Sequence, residues 1–321
     1  MFLCLLLAVV LWREPQAPAR EDSLFVMFWN LENYFDWKAD TTVSNTSDEE
    51  FSSSGNKHWT KRRFLAKSDL VAKSVFWIAD RHGTLPDVIG LAEVENRFVL
   101  DRLLSETPLR RKDYAIIHYD SPDPRGIDVA ILYRNKRLRP LVSKPLKIYS
   151  KDGSSILTRD ILLAGFLRSD GDSVVFLVNH HPSKYGANSS WRRKAAMSRL
   201  GEITDSLKAA GWKNVVAMGD FNDTPSSTLE YSKTMVNLAA PLARKGHGTI
   251  KYSGKWEMID MFFISPEIMA ANPGISMIVE RIPFLTVKDN THSGEKPLRT
   301  FSGPRYLGGV SDHCPITVVI K

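Results

Sequence analysis

An apolar run that stops abruptly on charged and amide groups constrains this chain most: Val215-Val216-Ala217-Met218 is followed at once by Gly219-Asp220-Phe221-Asn222-Asp223-Thr224-Pro225. In an extended chain successive side chains alternate, so Asp220 and Asn222 are expected to face one way while Phe221 turns back into the core. Gly219 frees the backbone just before them, and Thr224-Pro225 ends the strand. An anionic acceptor and a mixed donor/acceptor held together at a strand end suit a bound water or a hard cation. An ordinary turn uses the same residues.

Other strand-like runs end the same way. Phe25-Val26-Met27-Phe28-Trp29 runs into Asn30-Leu31-Glu32-Asn33, Val88-Ile89-Gly90-Leu91-Ala92 into Glu93-Val94-Glu95-Asn96, and the run from Val174 closes with Asn179-His180-His181. Asn30 and Glu32, two apart, repeat the spacing of Asp220 and Asn222. Glu93 is expected on the same rim, with Glu95 assigned to a helix start or to solvent. A lone histidine is usually structural or exposed, but one that closes a strand in this company is a better candidate for chemistry. The run Glu257 to Ser265 sets Asp260 among apolar residues, where a carboxylate has to be paired or hydrogen-bonded. Near the end, Gly308-Gly309-Val310-Ser311-Asp312-His313 reads as a loop feeding a last strand, Pro315 to Ile320.

Between these runs the periodicity predicts helices over Thr60–Arg81 and Trp191–Ala210, with a short one from Asp101 to Leu109. Lys61, Arg62, Arg63, Lys67 and Lys73 fill the gaps of the first and read as a solvated face. Strands are expected at Tyr114–Tyr119, Ile127–Tyr133, Pro140–Tyr149 and Ile156–Phe166, with Asp40–Asn56 a surface loop and Leu238–Ser253 irregular. Ser121–Gly126 is a turn, which puts Arg125 at a loop–strand junction: there a guanidinium can meet a phosphate, or merely cap the turn. Trp59, Trp191 and Tyr185 read as packing residues, with stacking on bases the alternative. Interleaved strands and helices suggest a mixed sheet core flanked by helices.

With 321 residues, 43% of them hydrophobic, the chain can build one large core or two modest ones. Charged residues at 25% exclude a disordered chain and a multispan membrane protein. The net charge of +7 favours an anionic partner or simply a soluble basic surface. Phe2 to Trp12 is apolar, too short to span a bilayer, and followed by Ala17-Pro18-Ala19, so residues 1–19 read as a secretory signal and the protein as exported, periplasmic or secreted. The stretch lacks an early Lys or Arg, which leaves a membrane tether as the runner-up. Removal of Cys4 with the signal leaves Cys314 alone, so no internal disulfide is expected. No linker divides residues 20–321, which read as a single domain and a monomer.

Taken together, Trp29-Asn30, Leu91-Ala92-Glu93-Val94-Glu95-Asn96, Asn179-His180, Gly219-Asp220-Phe221-Asn222, Ile259-Asp260 and Ser311-Asp312-His313 resemble the signatures of the endonuclease/exonuclease/phosphatase family, in family order along the mature chain. The resemblance implies an α/β fold, a DNase I-like four-layer α-β-β-α sandwich with two mixed β-sheets. It also implies divalent-metal-dependent cleavage of phosphate esters, with Mg2+ as the cofactor and Mn2+ as a substitute. Carried over, Glu93 is the principal metal ligand, with Asn30, Glu32 and Asp312 beside it. His313 assists the nucleophile and phosphate, oriented by Asp260, while Asp220 and Asn222 position water and phosphoryl oxygens. His180 is a second phosphate-facing imidazole, although the adjacent His181 leaves the choice of ring to register. The role of Asp128, in Arg125-Gly126-Ile127-Asp128, stays open. The expected substrate is nucleic acid, DNA or RNA, cut by an exported nuclease; a small phosphate ester or phospholipid headgroup is the alternative. Neither a closely spaced Cys/His cluster for structural zinc nor a P-loop string is present in the sequence.

Overall fold

The computed structural model describes residues 23–38, 47, 50–184, 189–228 and 231–321. The expected signal segment with Cys4, most of the 40–49 stretch and Tyr185 lie outside the described residues. In chain order the first half comprises β1 (Leu24–Tyr34), α1 (Lys61–His82), β2 (Val88–Val94), α2 (Arg97–Glu106), β3 (Tyr114–His118), β4 (Asp128–Arg134) and β5 (Leu138–Leu146). Then come β6 (Ile161–Arg168), β7 (Ser173–His180), α3 (Ser190–Ala209), β8 (Asn214–Asp220), β9 (Val236–Asn237), α4 (Ala240–Arg244), β10 (Ile250–Tyr252), β11 (Lys255–Glu257), β12 (Asp260–Ile264) and α5 (Pro266–Ala271). The last part holds β13 (Ile278–Val279), the pairs β14 (Thr286–Lys288) with β15 (Glu295–Pro297) and β16 (Phe301–Ser302) with β17 (Arg305–Tyr306), and β18 (Ile316–Ile320).

Two six-stranded mixed sheets result, in the orders β13-β18-β1-β2-β4-β3 and β5-β6-β7-β8-β12-β9. Each sheet has one parallel pair near its centre, β1 with β2 and β7 with β8, and its other pairings are antiparallel. The central strands are apolar on both faces, as strands covered on both sides must be. On β1, Phe25, Met27, Trp29 and Leu31 pack with Phe64, Val71 and Val75 of α1 and Leu100 of α2. Leu24, Val26 and Phe28 instead meet Phe176, Val178, Val216 and Met218 of the second sheet. Ala196, Leu200 and Ile203 of α3 belong to that second core, which completes the α-β-β-α layering. The sheets close tightly where Gly90 faces Met218: a Cβ there would lie 2.8 Å from the methionine methyl.

The first helix begins where the periodicity predicts, with the Thr60 hydroxyl accepting from the Arg63 N–H, and ends at a left-handed Gly83. Its cationic face is not all solvated, however: Lys67 is buried. The expected strand from Ile156 starts only at Ile161, because the preceding Arg159 is drawn to the end of β7 instead. The stretch expected to be irregular, Leu238–Ser253, contains α4 and β10, and the strand expected from Glu257 to Ser265 breaks between β11 and β12. Trp59 packs as expected, its indole N–H donating to the Phe35 carbonyl, whereas Trp191 is exposed.

Candidate active site

The carboxyl ends of both parallel pairs meet at one end of the sandwich. In the second sheet His180 of β7 lies beside Asp220 of β8, which in turn pairs with Asp260 at the start of β12. Gly219 makes that approach possible: a Cβ on it would fall 2.2 Å from the Asn179 carbonyl oxygen. From the first sheet Asn30 bridges across, its amide donating to Asp220 at 3.1 Å and to Glu93 at 3.3 Å. His313 arrives from the loop before β18, anchored by the Trp29 indole on its carbonyl and by the Ser311 hydroxyl on its N–H.

Bulges aim the first-sheet carboxylates. Ala92 and Val94 pair with the consecutive Val129 and Asp128, so Glu93 is an extra residue in β2. Leu91 and Val94, three apart, consequently share the helix-facing core, which strict alternation would forbid. The same shift affects β1, where Leu31 and Tyr34 share a face and Glu32 and Asn33 absorb the difference. Glu32, Asn33, Glu93 and Asn222 all have left-handed backbones, φ between 48° and 59°, and they are four of the six such non-glycine residues among those described. Such conformations cost about 1–2 kcal/mol per residue and persist where surrounding bonds enforce them. Here the Asn33 N–H is fastened to Glu93 Oε2 at 2.8 Å and the Glu32 N–H to Asn30 Oδ1 at 2.8 Å. Asn222 therefore reaches the site by a left-handed turn after β8, not by the alternation expected of a continuing strand. Its N–H donates to Asp220 Oδ1 and its amide to the His181 carbonyl. Phe221 does turn inward and is fully buried.

The resulting constellation joins His313 Nδ1 to Asp260 Oδ2 at 2.8 Å and leaves His313 Nε2 3.8 Å from Asp220 Oδ2 and 3.8 Å from Asp312 Oδ1. His180 Nε2 lies 3.6 Å from Asp220 Oδ2 and 3.7 Å from Glu93 Oε1. Of the two adjacent imidazoles, His180 thus faces the cluster, while His181 packs edge-on against Phe221. Burial depresses the pKa of both: His180 falls well below the ordinary histidine value, with Arg159 and Arg125 adding to the effect, and His181 falls to about 3. Burial also works against charge on His313, yet Asp260 and Asp220 outweigh it and hold that imidazole protonated well above the usual range. Asp220 is pushed upward by burial, opposed by His313.

Two cations escaped the sequence reading. Arg299, on an otherwise unremarked loop, is a fork between the last two expected carboxylates, donating to Glu32 Oε1 and lying 3.2 Å from Asp312 Oδ2. Lys67 donates to the Glu32 carbonyl at 2.5 Å and to the Thr300 hydroxyl at 2.8 Å, and burial lowers its pKa to about 8. Burial raises Glu32 to about 8, with Asp312 adding and Arg299 and Lys67 opposing. Glu95 is not solvated, as it is buried and accepts the Asp36 N–H, and the helix start expected of it falls to Asn96, whose side chain caps α2. Arg125 is exposed and lines, with Lys57, Arg299, Glu32 and Phe301, a cavity of about 250 Å³ beside the cluster. Asp128, left open by the sequence, pairs with His118.

These side chains fit a hard divalent cation. The donor set is dominated by carboxylate and amide oxygens, and buried oxygens of Glu32 (Oε2) and Asp260 (Oδ1) accept no hydrogen bond from the described residues. Oxygens and a nitrogen of Asp220, Asp260 and His313 lie within 4.8 Å of one another.

Residues 25–321 match the model of the endonuclease/exonuclease/phosphatase family. Comparison with curated proteins gives no match. Among solved structures, TDP2 from D. rerio complexed with a single strand DNA product is 15% identical, with a TM-score of 0.55, and the alignment covers 94% of this chain and 99% of that one. The human nocturnin catalytic domain with bound sulfate is 15% identical over 95% of this chain and 96% of its own, with a TM-score of 0.56. A mannosyl-6-phosphatase from Bacteroides thetaiotaomicron is also 15% identical, over 93% and 99%, with a TM-score of 0.56. At these identities the likeness is one of fold.

Proposed function

The chain belongs to the endonuclease/exonuclease/phosphatase family and has its phosphoesterase fold, and from that premise we propose that it is a metal-dependent phosphodiesterase, an exported nuclease. The observation that carries the reading is the convergence of Asn30, Glu93, His180, Asp220 and the Asp260–His313 pair, from distant parts of the chain, within hydrogen-bonding or ion-pairing reach. Phosphodiesters resist attack because their oxygens repel hydroxide, so hydrolysis needs positive charge on those oxygens and an aligned water.

In this chain Asp260 accepts the Nδ1 proton of His313, which fixes the ring with Nε2 on the side of Asp220 and Asp312. The imidazolium supplies positive charge to a phosphoryl oxygen. Asp220, whose buried carboxyl holds a proton more tightly than usual, takes the proton from the attacking water. Asn222 fixes Asp220 through its N–H, and the neutral His180 ring holds Nε2 3.6 Å from Asp220 Oδ2, where it can donate to a phosphoryl oxygen. Glu93 and Asn30, with Glu32 and Asp312 beside them, would hold Mg2+, with Mn2+ as a substitute; when bound, the cation withdraws charge from the phosphoryl group. Arg125 at the cavity rim is placed to meet a substrate phosphate.

The positive net charge and the DNA bound by D. rerio TDP2 favour nucleic acid. The cavity of about 250 Å³ favours a second reading, a small phosphate ester such as the mannosyl-6-phosphatase name implies for that neighbour. A panel of DNA, RNA, sugar phosphates and phospholipid headgroups, run with Mg2+, with Mn2+ and with EDTA, separates the two. Metal-dependent polymer cleavage is the expected result. Turnover confined to small esters selects the second reading, and metal-independent turnover sinks both.

A further inference from the structure

We propose that Arg299 serves the site as a built-in second cation: it holds the Glu32–Asp312 pair of carboxylates that a second divalent ion would otherwise take, so that one divalent ion binds per chain, on the side of Glu93 and Asn30. The inference rests on the divalent-cation reading of the site given above. One nitrogen of the guanidinium, Nη2, reaches both carboxylates, donating to Glu32 Oε1 and lying 3.2 Å from Asp312 Oδ2, while Nε donates to the same Glu32 oxygen at 2.8 Å. The two carboxylates repel each other, and Arg299 offsets that repulsion with a charge that does not titrate.

The backbone is built to deliver this side chain. The Val310 N–H donates to the Leu298 carbonyl at 3.0 Å, and a Cβ on Gly309 would fall 1.9 Å from that same carbonyl oxygen, so only glycine lets the segment before Arg299 lie against the one that leads to Asp312. The Thr300 hydroxyl donates to the Val310 carbonyl at 2.9 Å and accepts from Lys67, whose ammonium also donates to the Glu32 carbonyl. Buried Lys67 thereby braces the three segments that carry Glu32, Arg299 and Asp312, and adds a second positive charge within electrostatic reach of both carboxylates.

Glu93 is placed differently. Among the described residues its contacts are with neutral donors: the Asn30 amide, the Asn33 N–H and the neutral His180 ring. A hard divalent ion held by one or two carboxylates completes its shell with waters and substrate phosphate oxygens, which suits Glu93 with Asn30. Arg299 Nη1 has no hydrogen-bond partner among the described residues, and Arg299 lines the cavity beside the cluster. The same guanidinium can therefore also receive a phosphate oxygen, which is the other task of the second ion in a two-metal site.

The test counts Mn2+ bound per chain at saturating metal, by elemental analysis after equilibrium dialysis and by EPR, for the parent, Arg299→Lys, Arg299→Met, and the double variant Arg299→Met with Asp312→Asn. Arg299 is exposed, so Arg299→Met is expected to fold; melting in EDTA checks this, and Arg299→Gln takes its place should methionine lower the midpoint. We expect one ion in the parent and in Arg299→Lys, two in Arg299→Met, and one again in the double variant. A salt bridge that merely fastens a loop would move the melting temperature and leave the count alone. Equal counts in the parent and Arg299→Met overturn the proposal, as does a parent that already binds two. None in the parent and one in Arg299→Met would keep the role of Arg299 while removing the metal from the proposed function.

Discussion

At the level of single side chains, the Asp260–His313 pair is the part of the site with the least freedom. Asp260 Oδ2 is 2.8 Å from Nδ1, and both residues are buried. Asp260→Asn preserves the volume but presents an amide that can donate where the carboxylate only accepts, which favours the wrong ring tautomer. We expect kcat on the best substrate to fall by about two to four orders of magnitude with little change in KM, measured against a melting temperature that stays near that of the parent. A second expectation concerns Cys314, whose thiol burial pushes up to about 12. The thiolate is the reactive form, so a thiol reagent at pH 8 should label Cys314 only after denaturant unfolds the chain. Rapid labelling of the native protein would contradict the packing around it. The chemistry-bearing letters themselves were legible in the sequence: Glu93, Asp220 and Asp260 stand at or next to strand ends, Asn30 just before the bulge in β1 and His313 in the loop before β18, and all five converge. Arg299 and Lys67 were not, because nothing in a lone cation's local sequence reveals that it folds onto a carboxylate more than two hundred residues away, as Arg299 does onto Glu32.

At the level of elements, the bulges in β1 and β2 separate this site from an ordinary pair of strand ends. Alternation in the sequence placed Glu32 by its spacing from Asn30, and Glu93 was expected from the polar end of its strand; parity is what a bulge reverses. The residue that tests this is Asn33, left-handed at φ 54° and bound to Glu93 through its N–H alone. Asn33→Gly keeps the N–H and relieves the backbone, so stability and activity should hold. Asn33→Val puts a β-branched side chain where left-handed geometry costs about 1–2 kcal/mol, and unfolding in urea should show a loss of that size together with reduced activity. Equal behaviour of the two variants would mean that the bulge is not under strain. The two adjacent imidazoles are settled at the same level: the parallel register of β7 with β8 sets His180 beside Asp220, something no count along one strand could decide.

At the level of the whole molecule, two neutral buried imidazoles shape the response to acid. In the unfolded chain a histidine takes up its proton near pH 6.5, whereas folded His181 does so only near pH 3 and folded His180 well below its ordinary value. The unfolded state therefore binds more protons in that window, and the contribution is intact above about pH 6.5 and declines as the pH falls towards 3. The raised carboxyls of Glu32 and Asp220 act in the opposite sense over the same range, so the test is differential: between pH 7 and 4 the urea midpoint of His181→Gln should lose less, or gain more, than that of the parent. The net charge of +7 acts at the same scale: if the substrate is a polyanion, kcat/KM should drop steeply between about 50 and 200 mM salt, whereas turnover of a small ester should respond far less. The sandwich as a whole was readable from interleaved strands and helices, but the strand order was not. Neither the adjacency of β1 and β18 nor that of β8 and β12 leaves a mark in local periodicity.

That adjacency bears on how the molecule comes into being. Trp29 and His313 lie 284 residues apart along the chain, and the Trp29 indole is tied to the His313 carbonyl in the finished sheet. A nascent chain halted anywhere before residue 313 carries the acids but not the imidazole, and its first sheet still has an open edge at β1. Such a chain holds the carboxylates of the proposed mechanism without the imidazole that Asp260 orients.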